Sequence, residues 1–358
     1  MRHFSAFLHG LFSMFWGDNT SLSRKCNLEL LLLACIISLL MWAWPLGNLV
    51  AEEERIWDRV REAQVYLYNL KAQTEGSASS EELDPLQCGL IGIEWSPITT
   101  TVGSLHSKQI SCNPIWAVIF SRWFNEAGLK KGDRIAIFSS GSFPGFLASS
   151  IIAAEEKGLD IFLQASLGAS SYGANDLNFP LPRILMELRK AGFISTKAAF
   201  YTLGGDYEIG GGMPQEGIKI LLRSAQSEDV PVLQAKSLQE VIDTKMSYLQ
   251  KFKPSLVVQI GGSHSSMGTD ERVLSLPPGF LDPKYKENAG NGIIALALKK
   301  GIPVIHVLNV KKLCRITGVP EKVDIVKRGP MPLKLGRAVL GMISFAVFLL
   351  RYKRWTIV

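Results

Sequence analysis

The sequence predicts a doubly wound α/β fold, a mostly parallel sheet of about six strands, flanked by N-terminal and C-terminal transmembrane helices. Three observations predict it. Short apolar runs alternate with helical patterns between residues 134 and 308, as in a parallel sheet covered on both faces. Four of the predicted strands are followed by loops of small residues. Two apolar segments, Leu30–Val50 and Leu335–Leu350, bracket everything else.

Leu30–Val50 has the roughly 20 apolar residues that a spanning helix needs. Trp42 and Trp44 sit near one end as interfacial anchors, and Trp42-Ala43-Trp44-Pro45 is a poor context for signal cleavage. Leu335–Leu350 is shorter and carries Arg337, which would snorkel to the interface. Its stretch Ala338–Leu350 is apolar on every helical face, unlike a soluble surface helix. Arg24 and Lys25 precede the first span, and Arg351, Lys353 and Arg354 follow the second. The excess of Lys and Arg marks cytoplasmic flanks, so both termini read as cytoplasmic and the middle as extracytoplasmic. The expected organisation is an interfacial N-terminus (1–29, with His3–Trp16 in the interface), a span (30–50), and a juxtamembrane helix and linker (51–85). An α/β domain (86–327), a second span (335–350) and a short cytoplasmic tail (351–358) follow.

Each element of the middle has a local cause. Ile56, Val60, Ala63, Leu67 and Leu70 recur at helical spacing and predict a helix over Glu53–Gln73. Thr74–Pro85 is a polar linker. Strands are predicted over Arg134–Phe138, Asp160–Gln164, Ala198–Leu203, Val230–Ala235, Ser255–Ile260 and Ile302–Leu308. Helices are predicted over Gly145–Lys157, Leu181–Lys190, Gly217–Ser227 and Gly292–Lys300, with Gly158 and Gly192 as stop signals for the first two. Six strands fall short of the eight units of a TIM barrel.

The chain has 39 Lys+Arg against 32 Asp+Glu, a formal charge of +7. The ends, 1–51 and 333–358, hold eight basic and two acidic residues, which leaves a net charge of only +1 for the middle. The basic balance is therefore a membrane-flank signal, and a nucleic-acid partner is not expected. Cys88, Cys112 and Cys314 fall in the outward portion, where Cys88–Cys112 is the nearest pair in sequence for a disulfide, buried free thiols being the alternative. No CxxC is present, so neither zinc nor redox chemistry is indicated.

The four strand-end loops are Ser139–Gly145, Ala165–Asp176, Gly204–Gly212 and Gly261–Asp270. Ligands of open α/β sheets sit outside the carboxyl ends of the strands. Glycine lets backbone N–H groups approach an anion, and serine hydroxyls add donors. Candidate ligand-binding residues are Ser140, Gly141, Ser170, Ser171, Asn175, Asp176, Gly204, Gly205, Asp206, Gly262 and Ser263, with Lys108 or Arg183 as local cations. A nucleophile is available in Ser142, with His264 as its base and Asp206 or Asp270 as the orienting carboxylate. A metal set of Asp176, Asp206, His264 and Asp270 lacks ligand spacing, so neither a metal nor a cofactor is expected. Gly204–Gly212 fails the dinucleotide spacing, no Walker lysine is present, and Ser142 is not in a GxSxG elbow.

The pieces SLGASSYGAND (Ser166–Asp176), GSFPGF (Gly141–Phe146), GGDYEIGGGMPQEG (Gly204–Gly217) and GIPVIHVLN (Gly301–Asn309) resemble the poly-γ-glutamate system protein family. Thr99–Gly103 and Ser111–Pro114 resemble it too, and the likeness runs over most of Ile98–Lys312. The resemblance implies an accessory membrane protein of bacterial poly-γ-glutamate capsule synthesis or export. Its partners would be synthetase subunits and the acidic polymer, and no catalytic residues are implied. Without a P-loop the chain does not resemble the ATP-dependent ligase itself. Three readings follow. One is an accessory protein that binds the polymer or a partner. The second is an extracytoplasmic hydrolase or transferase working through Ser142 and His264. The third is a solute-binding or sensing domain for glutamate oligomers.

Overall fold

The computed structural model describes residues 49–75 and 79–327. Apart from Leu49 and Val50, the two predicted membrane segments lie outside the described residues, as do His3–Trp16 and the tail. Among the described residues, no helix is long and apolar enough to cross a membrane.

Helix α1 is Ala51–Glu75. Ile56, Val60, Ala63 and Leu67 form one stripe along it, and all four are buried in the main core. The sequence places this helix and the linker after it outside the α/β domain. In the structure α1 packs on helices of that domain, and Lys71 pairs with Asp176 at 2.8 Å. The physical reason lies in the helix itself, since an apolar stripe must be covered and the domain supplies the cover.

The chain continues through β1 (Thr99–Thr101), α2 (Leu105–Ser111), α3 (Ile115–Glu126), β2 (Arg134–Ser140), α4 (Pro144–Glu156), β3 (Asp160–Ser166) and β4 (Ala169–Ser170). Next come α5 (Leu181–Lys190), β5 (Phe200–Thr202), α6 (Gln215–Ser227), α7 (Leu238–Phe252), β6 (Leu256–Ile260) and the short α8 (His264–Met267). The last elements are β7 (Gly279–Leu281), α9 (Ile293–Lys299), β8 (Val304–Val307) and α10 (Val310–Thr317). Six strands form one sheet in the order β5-β3-β2-β6-β8-β7, and β1 pairs β4 in a separate ribbon. All pairs of the large sheet are parallel except β7 with β8.

The predicted fold class therefore holds in its architecture, a mixed α/β fold with a mostly parallel sheet of six strands. The membership of the sheet differs. Val230–Ala235 contributes only a parallel bridge from Val232 to Tyr201, because Pro231 has no N–H to extend a ladder. Its place in the count is taken by β7, an antiparallel edge strand of three residues that carries no strand-length signal.

Alternation along the central strands explains the two layers. Ile135 and Ile137 of β2, with Leu256, Val258 and Ile260 of β6, enter the core beneath α1, α3 and α4. Ala136, Phe138 and Val257 point the other way, into a second core under α7 and α9. Every residue of β6 is buried, as a strand covered on both faces requires.

Helix α6 meets the ribbon at Gly217, where an added Cβ would lie 2.0 Å from the carbonyl oxygen of Pro97. Gly217→Ala must displace backbone and is expected to cost about 1–3 kcal/mol, read from the urea midpoint of unfolding.

Candidate functional site

The chain order changes direction at β2. It runs outward through β3 and β5 on one side, then crosses to β6 and β8 on the other. Such a reversal opens a crevice beyond the carboxyl ends of the strands. Here the crevice encloses about 580 Å³. Five strand ends reach it: Ser140 at the end of β2 with Ser142 and Phe143 beyond it, Ser166 at the end of β3 with Gly168 beyond it, and Gly204, Gly205, Asp206 and Glu208 after β5. Gly262, Ser263 and His264 follow β6, and Asn309 follows β8. The segment Thr100–Ser104, with Ser107 and Lys108 of α2, forms the remaining wall.

Lys108 is 2 % exposed. Its ammonium group donates to the Ser142 carbonyl oxygen and lies 2.7 Å from Ser170 Oγ and 3.6 Å from the centre of the Phe143 ring. Among the described residues, no carboxylate pairs with it. Burial pulls its pKa down to about 7, with a small opposing influence from Cys112. Ser142 Oγ accepts a hydrogen bond from the Ser170 N–H at 3.0 Å, so β4 and the β2–α4 turn are locked together beside the lysine.

Deeper in the crevice lies an ion pair. Lys245 Nζ is 2.9 Å and 3.2 Å from the two Glu208 oxygens, and both side chains are 1 % exposed. Ser166 Oγ donates to Glu208 at 2.8 Å, and Lys245 donates to Ser265 Oγ at 2.7 Å. Burial would raise the Glu208 carboxyl. The Lys245 ammonium, with the Ser265 and Ser166 hydroxyls, more than offsets this and holds the carboxyl below its ordinary value. Burial also lowers Lys245, opposed by Glu208. Glu208 reaches this position because Tyr207 and Glu208 both adopt left-handed backbone, with φ of 57° and 61°. That conformation is uncommon outside glycine and is held here by the buried pair.

Ser140 Oγ is buried and has no hydrogen-bond partner among the described residues. Gly261, with φ of +85°, passes so close that an added Cβ would lie 2.3 Å from that oxygen. Only glycine fits there.

The predicted site residues divide cleanly. Ser140, Ser142, Ser170, Gly204, Gly205, Asp206, Gly262, Ser263 and His264 line the crevice, and Gly141, Ser171, Asn175, Asp176 and Asp270 do not. Gly141 donates its N–H to the Ser166 carbonyl, and Ser171 lines a shallower hollow beside Trp95. Asn175 is fully buried and ties Ile93 to Thr99. Asp176 pairs with Lys71, and Arg183 lies over the Phe179 ring, 4.5 Å from its centre. The triad of Ser142, His264 and Asp270 is not assembled. His264 Nδ1 accepts the Tyr207 N–H at 3.0 Å, with the two rings stacked. Asp270 is committed to Arg272, whose hydrogen bonds hold its carboxyl at about 2. Of the candidate metal set Asp176, Asp206, His264 and Asp270, only Asp206 and His264 line the crevice, and no cluster able to hold a metal occurs among the described residues. Cys88 and Cys112 are free buried thiols, and no disulfide joins them.

Glu208, Lys245 and Ser166 escape the sequence reading, and Lys108 appears in it only as one of two available cations. Comparison of the chain with protein-family models, with curated proteins and with solved structures yields no match.

Proposed function

We propose that this chain is a membrane-anchored accessory protein of poly-γ-glutamate synthesis or export whose crevice binds carboxylates of the acidic polymer. Leu30–Val50 and Leu335–Leu350 would anchor it, with the α/β domain facing outward. The observation that carries the ligand class is Lys108, a buried ammonium on the crevice wall with hydroxyl and carbonyl neighbours and no carboxylate of its own among the described residues. A buried charge without a counter-ion favours an incoming anion. The unpartnered Ser140 hydroxyl and the glycine-rich strand ends add donors around it. The motif likeness of Ser166–Asp176 supports the choice of a γ-glutamyl polymer over other anions.

Titration calorimetry of the full-length protein with a γ-glutamyl decamer tests this reading. Lys108→Met is expected to weaken binding by about ten- to a hundredfold, the worth of a charged hydrogen bond. In the native protein the ammonium population falls as pH rises through about 7. Affinity should therefore drop about tenfold between pH 6 and pH 8, and the step should vanish in the variant. Absence of binding heat at pH 6 would remove the polymer as ligand, and a deletion strain with normal surface polymer would remove the accessory role.

A further inference from the structure

We propose that Ser170 and Lys108 form a serine–lysine nucleophile pair, making the crevice an acyl-transfer site for amide-linked acidic chains. The nucleophile follows from the geometry alone, while the substrate class rests on the polymer-binding reading above.

Three geometric facts converge. Lys108 Nζ lies 2.7 Å from Ser170 Oγ, within the reach expected of a base and the hydroxyl it activates. Both residues line the crevice, which puts the pair on the wall against which an acyl group would be seated. Each is also held in place by other contacts: the Ser170 N–H is fixed on Ser142 Oγ at 3.0 Å, and Lys108 on the Ser142 carbonyl oxygen and the Phe143 ring. As a free amine, Lys108 keeps one N–H for the Ser142 carbonyl and turns its lone pair to the Ser170 hydroxyl. The burial that brings its pKa to about 7 populates that amine at neutral pH. The Ser142 hydroxyl, whose oxygen already accepts the Ser170 N–H, keeps its own proton to donate into the crevice, where an oxyanion would form.

The step balances without any outside oxidant or reductant. Ser170 Oγ passes its proton to Lys108 Nζ and attacks the amide carbonyl carbon. The tetrahedral oxyanion collapses, the C–N bond breaks, and the Lys108 ammonium gives the proton to the leaving nitrogen. Water, or the amine of another chain, then gives a proton to Lys108 and attacks the Ser170 ester. Ser170 Oγ leaves and recovers its proton from Lys108. With water the product is a carboxylate, and with an amine it is a new amide. The two roles of Lys108 use opposite protonation states, so a bound carboxylate holds the base in its inactive form.

The titratable groups around Lys108 are Cys112 just beyond α2, and Asp206, Glu208 and His264 across the crevice. Lys311, Lys312 and Arg315 lie on α10, and Glu155 and Glu156 end α4, the two helices packed beside α2. Glu208 is already committed to Lys245, Glu155 to Ser195 and Thr196, and Glu156 to Arg59.

The test uses the full-length protein in detergent and a biotinylated fluorophosphonate, which loses fluoride when a serine oxygen attacks phosphorus. Labelled peptides are mapped from pH 5 to pH 9. The expected result is a label on Ser170 that rises about tenfold between pH 6 and pH 8. Ser170→Ala abolishes it, and Lys108→Met lowers it at least about tenfold and flattens the pH profile. Competing γ-glutamyl decamer protects Ser170, more strongly at pH 6 than at pH 8. No label on Ser170, a label on Ser142 instead, or a pH-independent label would overturn the pair. Should Lys108→Met fail to fold, the mapped residue and the pH profile of the native protein decide the matter. Calorimetric binding of the decamer without any Ser170 label refutes the nucleophile and leaves the polymer reading intact. Label on Ser170 without decamer binding supports the nucleophile and refutes the polymer as its substrate.

Discussion

Replacing Lys245 by Met is expected to cost the domain about 3–5 kcal/mol of folding stability, the usual penalty for stranding one partner of a buried ion pair. Glu208 would keep its Ser166 hydrogen bond but lose both contacts to the ammonium. The pH dependence should change sign as well. In the native protein the Glu208 carboxyl is held below its ordinary value, so its contribution is present at neutral pH and is lost as pH falls through the folded value. In Lys245→Met, burial is opposed only by the serine hydroxyls and is expected to raise the carboxyl. The contribution of a raised carboxyl is fully present below its unfolded value and is lost as pH rises through the folded value, so this group then favours folding at low pH and opposes it as pH rises. Urea unfolding at pH 4 and pH 7 separates the two cases. The double variant Lys245→Met/Glu208→Leu should recover most of the loss, since apolar replacements of both partners leave no stranded charge.

Asn175→Ala should be the next most damaging change, at about 2–4 kcal/mol. The Asn175 side chain accepts the Ile93 N–H at 3.0 Å and donates to the Ile93 carbonyl at 2.8 Å and to Thr99 Oγ1 at 2.9 Å. Its loss leaves these partly buried groups unmatched, each at about 1–3 kcal/mol less what water recovers. A fall in melting temperature of roughly 5–10 °C is expected for a domain of this size. Because Asn175 does not line the crevice, the folded variant should bind the decamer with native affinity, which calorimetry below the transition checks. A selective loss of binding in a fully stable variant would return Asn175 to the ligand site.

The contrast between Asn175 and Lys245 shows what could be read from the residues. Asn175 sits in a loop of small residues that looks like ligand chemistry, yet its side-chain donors and acceptor are spent on the backbone of Ile93 and on Thr99 Oγ1. Local composition marks polar loops but cannot say which of their groups face inward. The strands β2, β3 and β6 are legible because both faces are largely buried and the short apolar runs Ile135–Phe138, Ile161–Leu163 and Leu256–Val258 stand out. Helix α7 carries a readable mark in its sequence. Val241, Ile242, Met246 and Leu249 form its buried stripe, and Lys245 interrupts that stripe. A cation in an apolar stripe requires a buried partner. Glu208 left no such mark, since a glycine-flanked Asp-Tyr-Glu has the composition of an ordinary turn and only the left-handed backbone carries the carboxylate inward. The crevice is legible as a place, because four glycine- and serine-rich loops follow predicted strands. The α2 wall with Lys108 is not, because it enters from outside the strand–helix alternation.

The pairing of β2 with β6 sets a clock on biosynthesis. Ile135 aligns with Leu256, roughly 120 residues later in the chain. At about 5–20 residues per second, the ribosome needs roughly 6–24 s to deliver the second strand after the first. Through that interval one hydrogen-bonding edge of a strand containing Ile135, Ile137 and Phe138 has no native neighbour. An open apolar edge is a template for wrong partners. The nascent chain is therefore most exposed to misassociation between the emergence of residue 140 and that of residue 260, a window in which slowed translation would harm yield and a holding chaperone would help it.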